Sequence, residues 1–158
     1  MTGWRMGFAA GPATIIKAIN KAQGQSTSNV CSITQEACVE AYNGPQDFLD
    51  KMLDAFKERR DYIVSALNNI KGITCNTPQG AFYVFPNISK LLGKKTADGT
   101  MLNTSDEFCM YLLNKHLVAA VPGSAFGTDG YLRLSYATNM DTIKKGIHRL
   151  EILANELI

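Results

Sequence analysis

Two arginines in this chain stand where a fixed cation could grip an anion. Arg133 lies in "YLRLSYA", whose alternation sets Leu132, Leu134 and Tyr136 on one face of a strand and Tyr131, Arg133 and Ser135 on the other. An arginine on the outer face of a strand is commonly just a solvated residue. It is also the residue type that holds a carboxylate through two parallel hydrogen bonds, a planar match that lysine does not reproduce. Arg5, in "MTGWRMGFAAGP", has apolar neighbours and flanking glycines. That setting predicts a partly buried guanidinium, which needs an anionic partner to offset its desolvation. A structural salt bridge would serve, and so would a phosphate, with Gly3 permitting close approach of the backbone.

Little else in the sequence suggests reaction chemistry. There is no GxSxG, P-loop or paired-carboxylate pattern. His116 and His148 fall in helical stretches with no partner at useful spacing. Cys31, Cys38, Cys75 and Cys109 form no CxxC pair, so metal-ligand spacing is absent and they read as reduced core thiols of a cytoplasmic protein. In "PQGAFYVFP", Phe82 and Tyr83 point to opposite faces of a strand, which predicts one of them in the core. "VPGSAFG" reads as a rigid turn around Phe126. Two anion grips without a nucleophile or general base describe the binding half of a site.

The elements that must position these residues can be read from periodicity. Residues 4–10 are predicted as a short buried strand ending at Gly11-Pro12. A helix follows with Ile15, Ile16, Ile19 and Ala22 on one stripe and Gly24 closing it. Ser28 or Asn29 is the expected N-cap of a second helix that runs to Gly44. From Pro45 to Gly72, apolar residues recur every three or four positions, predicting one long amphipathic helix of roughly 39 Å that joins two bodies. Ala81–Phe85 reads as a strand stopped by Pro86, and "GKKTADGTMLNTS" as a surface loop. "SDEFCMYLLNKHL" returns to helical spacing with Phe108, Tyr111, Leu112 and Leu117 apolar, and "VAAVPGSAFG" and "YLRLSYATN" supply two short strands. The tail sets Ile143, Ile147, Leu150, Leu153 and Leu157 on one helical stripe. Strands interleaved with helices predict an α/β or α+β layered fold.

Bulk properties narrow the function classes. With 158 residues, 46% hydrophobic and 19% charged, the composition is that of a soluble globular protein. A net charge of +2 is too small to argue for nucleic acid or an anionic membrane as partner. No run is long and apolar enough to read as a membrane span or signal peptide.

The motifs "MTGWRMG", "SNVCSITQEA", "PQGAFYVFP", "VPGSAFG" and "YLRLSYAT", in this order, resemble the C-terminal part of class I (fold type I) pyridoxal-phosphate-dependent aminotransferases, most closely the bacterial aspartate aminotransferases. The resemblance extends over essentially the whole chain. It implies that Arg5 holds the phosphate of pyridoxal 5'-phosphate and that Arg133 binds the α-carboxylate of the amino acid or 2-oxo acid. It also implies that Phe82 lies close to the substrate, and that Ser28 and Asn29 sit at the subunit interface of a homodimer beside the neighbouring site. The Schiff-base lysine of the family's signature would fall ahead of Met1, so no catalytic residue is assigned within these residues, and alone they are expected to be inactive and to bind the cofactor weakly. By the same resemblance, 1–44 would be the end of the large cofactor-binding domain and 45–72 the interdomain helix. Residues 73–158 would form the small domain, a mixed sheet covered by helices that swings over the substrate and excludes water. The first 44 residues are then expected to expose apolar surface. Aminotransferases of aromatic or prephenate specificity, and a non-enzymatic aminotransferase-like regulatory module, are the competing readings.

Overall fold

The computed structural model describes Met1 and residues 3–158, and these fall into two compact units, Met1–Leu49 and Asp50–Ile158.

The first unit carries helices α1 (Ala13–Gly24) and α2 (Ser32–Asn43). Pro12 stands at the N-cap of α1, where its missing N–H costs nothing. No residue of α1 is buried, and α2 buries only Thr34 and Cys38. Residues 4–10 are not the buried strand expected of them. Gly3–Arg5 form a turn, the chain is irregular through Pro12, and Trp4 and Phe8 are exposed. A strand exists by pairing, and among the described residues no strand pairs with this segment. Phe8 instead meets Tyr42 edge-on at 5.3 Å. The cap of α2 also differs from expectation. Cys31, not Ser28 or Asn29, precedes the first helical residue, and Ser28 adopts φ 60° just after the turn that ends α1. The Gln35 side chain reaches back to the Val30 carbonyl at 2.7 Å beside that end.

Helix α3 (Phe48–Asn68) is shorter than the predicted span, at 21 residues or about 32 Å. Its buried residues Ile63, Val64 and Leu67 lie in the last turns, whereas Phe48, Met52 and Leu53 are exposed. The helix stops at Asn68 because that side chain binds elsewhere. Its amide donates to the carbonyls of Val64 and Cys75 and accepts from Cys75 N–H at 2.9 Å, turning the chain through Gly72 (φ 92°).

The second unit is an antiparallel sheet under helices. Strands β1 (Tyr83–Val84), β2 (Lys94–Lys95) and β3 (Met101–Leu102) precede helix α4 (Ser105–His116). Strands β4 (Val121–Pro122) and β5 (Leu132–Ser135) and helix α5 (Met140–Glu156) complete it. The three-stranded sheet has the order β1-β5-β4, with Val84 opposite Leu134 and Val121 opposite Arg133. The α/β layering expected from the sequence is present, with every described strand pair antiparallel. The stretch expected as a loop contains the β2–β3 hairpin. Its turn is held by Asp98, which accepts from the hydroxyls of Thr96 and Thr100 at 2.7 Å each.

The core gathers the C-terminal half of α3, Val84, Phe108 and Leu112 of α4, Leu132 and Leu134 of β5, and Ile143, Ile147, Leu150 and Leu153 of α5. The predicted stripe of the last helix is buried throughout, Leu157 included. Leu117, expected on the apolar face of α4, is exposed instead, because it takes the left-handed C-cap conformation that ends the helix (φ 56°). Neither Phe82 nor Tyr83 is a core residue. Both are partly buried, and Val84 next to them fills the core position. Of the four cysteines, Cys38, Cys75 and Cys109 are buried and Cys31 is exposed, so the expectation of core thiols holds for three.

Candidate functional site

Strand β5 positions Arg133. Its alternation sends Leu132, Leu134 and the following Tyr136 into the core and leaves Tyr131, Arg133 and Ser135 on the opposite face. Because β5 is the central strand, both neighbours contribute to that face. Tyr83 arrives from β1, opposite Ser135, and its ring centroid lies 4.5 Å from the Arg133 guanidinium carbon. Phe126, from the turn after β4, lies 4.7 Å away. Both distances are within the range in which a cation is attracted to a ring face. Beyond them, Phe85 stacks on Tyr131 with centroids 5.0 Å apart and meets Phe126 edge-on at 6.0 Å.

The electrostatics of this cluster are simple. Arg133 is partly buried, yet among the described residues its side chain donates to no acceptor and meets no carboxylate. The rings hold the cation and leave its N–H groups uncommitted. A planar anion with two acceptors is the chemical complement of such a group.

Phe82 joins the same cluster from the bend before β1. Its ring lies 4.4 Å from that of Tyr83 and 6.4 Å from that of Phe56. Tyr136 fixes the bend twice: its hydroxyl donates to the Ala81 carbonyl and its N–H to the Phe82 carbonyl, each at 2.9 Å. Phe82 and Arg133, singled out separately in the sequence, are thus linked through Tyr83. Tyr83, Phe126 and Tyr131 were not assigned to the site by sequence reasoning. The signal for Phe126 was the glycine-flanked turn itself, and the Tyr83 contact follows only from strand pairing.

The remaining candidates lie in the first unit. Arg5 has φ 55° and is exposed, which corrects the expectation of partial burial, because the segment that carries it is a turn and not a strand of a sheet. It lines a shallow cleft with Met1, Met6 and Gly7. A Cβ added at Gly3 or Gly7 would meet nothing within 4 Å, so the backbone there is open to an approaching group. Ser28 and Asn29 are both exposed, and Asn29 lines a groove with Met6, Val30, Gln35, Cys38, Val39 and Tyr42. His116 is engaged by Glu156 at 3.4 Å, and His148 lies 3.8 Å from Glu151. No helix among the described residues is long and apolar enough to cross a membrane.

The model of the aminotransferase class I and II family matches residues 1–150. The chain belongs to this family. Among curated aminotransferases, it is 46% identical over 157 residues to the aspartate aminotransferase of Rhizobium meliloti, covering 99% of this chain and 38% of the relative. It is 48% identical over 151 residues to a probable aspartate/prephenate aminotransferase of Rickettsia conorii, covering 96% of this chain and 38% of the relative. Among solved aminotransferases, the crystal structure of the Rhizobium meliloti aspartate aminotransferase matches with a TM-score of 0.87 and 46% identity, covering 100% of this chain and 40% of that one. The aromatic aminotransferase of Pyrococcus horikoshii matches with a TM-score of 0.80 and 34% identity, covering 99% of this chain and 40% of that one. The chain therefore spans about two fifths of the length of the aminotransferases it matches. Class I aminotransferases use pyridoxal phosphate.

Proposed function

We propose that these residues form the carboxylate-binding and phosphate-binding part of a pyridoxal-phosphate-dependent aminotransferase that moves the amino group of aspartate to 2-oxoglutarate. The observation that carries this reading is the Arg133 guanidinium, in contact with two rings on the central strand and with its donors uncommitted. Every amino donor and 2-oxo acceptor of such a reaction carries an α-carboxylate, and one strand-borne arginine can take each in turn. The names of the Rhizobium meliloti and Rickettsia conorii relatives support aspartate as a substrate. Prephenate, in the second of those names, presents the same carboxylate, so Arg133 does not discriminate between the two.

In this reading Arg5 meets the cofactor phosphate, with Gly3 and Gly7 leaving room beside it. When bound, the cofactor supplies the electron sink that stabilises a carbanion at the α-carbon. Arg133 orients the substrate by its carboxylate, and Phe82 forms part of the apolar wall near it. Ser28 and Asn29 belong to the interface of a homodimer in the cytoplasm. Residues 1–44 belong to the cofactor-binding domain, 45–72 form the interdomain helix, and 73–158 make the small domain that closes over substrate. No lysine precedes Lys17 in the chain, so the 158 residues alone are expected to show no turnover.

The test is a chimera in which this chain replaces the matching 40% of the Rhizobium meliloti enzyme. It is expected to transaminate aspartate. Losing two charge-assisted hydrogen bonds, the Arg133→Leu chimera is expected to lose on the order of 10²–10⁴-fold in kcat/KM, and Arg133→Lys most of that. An inactive chimera, or an Arg133→Leu variant with unchanged kcat/KM, would falsify the proposal.

A further inference from the structure

The loop between β4 and β5, Gly123–Gly130, is tied down at both ends by one buried serine. Ser105, the first residue of α4, is completely buried, and its hydroxyl accepts from Ser124 N–H at 3.3 Å. Its backbone N–H donates to the Asp129 carboxylate at 2.8 Å, and that carboxylate also accepts from Gly130 N–H at 2.9 Å. The Ser105 hydroxyl is also a partner of Asp129 and is the leading reason that this carboxyl lies below the usual range. A third tie runs from the Ser124 hydroxyl to Asp106. Within the loop, the 3-10 turn Gly123–Phe126 passes so close to the Thr128 carbonyl and to Tyr131 that a Cβ at Gly123 would collide with both.

These ties carry one exposed aromatic ring. Phe126 is 48% exposed and contributes little to the core, yet its ring lies over the Arg133 guanidinium. With Tyr83, it gives the guanidinium carbon two rings, at 4.5 and 4.7 Å. An arginine on an open strand face otherwise samples many rotamers and loses that freedom when it binds, at a cost to affinity. Stacking removes part of the freedom beforehand and, unlike an ion pair, consumes no N–H donor.

We propose that Phe126 is a positioning residue for the Arg133 carboxylate grip: it joins Tyr83 in a pair of ring contacts on the guanidinium, and Ser105 and Asp129 hold the loop that presents it. The inference rests on the reading of Arg133 as a carboxylate site and adds what keeps that site preorganised. The ligand class is a small 2-amino or 2-oxo carboxylate. Phe126 acts on its binding through the arginine.

The experiment compares Phe126→Leu, Phe126→Tyr, Ser105→Ala and Arg133→Lys in the chimera, measuring KM and kcat for aspartate. Phe126→Leu is expected to raise KM about three- to thirtyfold, the range of a ring–cation contact, with kcat within twofold. Phe126→Tyr keeps a ring and restores KM to within about twofold of the parent. Ser105→Ala raises KM in the same direction, because the loop loses the ties made by the Ser105 hydroxyl. A second readout needs no turnover: in the 158-residue chain, the Arg133 Nε–H proton resonance is expected to be shifted upfield by the flanking rings. That offset is expected to shrink in Phe126→Leu and persist in Phe126→Tyr. If Arg133→Lys raises KM while Phe126→Leu leaves both KM and the resonance unchanged, the positioning role is wrong and the carboxylate reading stands. If Arg133→Lys leaves KM unchanged, the carboxylate reading falls and takes this proposal with it.

Discussion

At the residue scale, burial decides chemistry more than residue type does. The four cysteines look alike in the sequence, but Cys31 is exposed at the head of α2 while Cys109 lies on the core-facing side of α4. Burial, with Asp106 nearby, pushes the Cys109 thiol up to about 12, and burial raises Cys75 as well. Only the thiolate attacks a disulfide reagent, so a buried and protonated thiol is doubly protected. In the native protein at pH 8, a chromogenic disulfide such as DTNB is expected to label Cys31 rapidly and the other three only after denaturant is added. Rapid release of more than one equivalent would contradict the buried placement of Cys38, Cys75 and Cys109. Arg133 makes the same point for charge. Its type suggested a solvated residue or a carboxylate grip, and only its ring contacts and uncommitted donors favour the second.

At the element scale, helix ends show which local signals are strong enough to act alone. Helix α4 begins with a capping box in which Thr104 accepts from Glu107 N–H at 3.2 Å and Glu107 accepts from Thr104 N–H at 3.3 Å. Such a cap satisfies donors that a helix cannot satisfy itself. Thr104→Ala is therefore expected to cost about 1 kcal/mol, read as a lower urea midpoint with unchanged slope. An unchanged midpoint would mean that the cap is redundant with the Ser105–Asp129 contacts one residue on. Much of this level was legible, since α4, α5 and the alternation of β5 are where periodicity puts them. The β2–β3 hairpin was missed although Asp98-Gly99 is a recognised turn pair, because its strands are only two residues long and carry no alternation. The predicted strand at residues 4–10 failed for the complementary reason: its residues suit a sheet, but pairing is a property of two segments.

At the scale of the whole molecule, the two units differ in how much apolar surface they close off. Asp50–Ile158 holds nearly all of the buried core, drawn from three helices and the central sheet. Met1–Leu49 leaves Ile15, Ile19, Ile33 and Val39 exposed, as expected for its first helix. Contiguous apolar surface in water is covered by association where a partner is available. Sedimentation of the 158-residue chain is expected to give a mass that rises with concentration, and Ile15→Lys with Ile19→Lys is expected to lower it. A monomer at all concentrations would show that this surface is too dispersed to drive association.

The sequence by itself determined the identity of the anion-binding candidates, the helices of the second unit, the face of β5 on which Arg133 lies and, through its motifs, the aminotransferase family. These are local properties, set by side-chain type and by periods of 2 and 3.6 residues. Only the tertiary structure decided what surrounds Arg133. Tyr83 reaches it through the antiparallel register of β1 with β5, and Phe126 through a loop anchored on α4. The Tyr83 contact spans fifty residues of chain and the Phe126 loop is pinned to a helix nineteen residues upstream, and such proximity is set by packing and strand pairing, which no local pattern encodes.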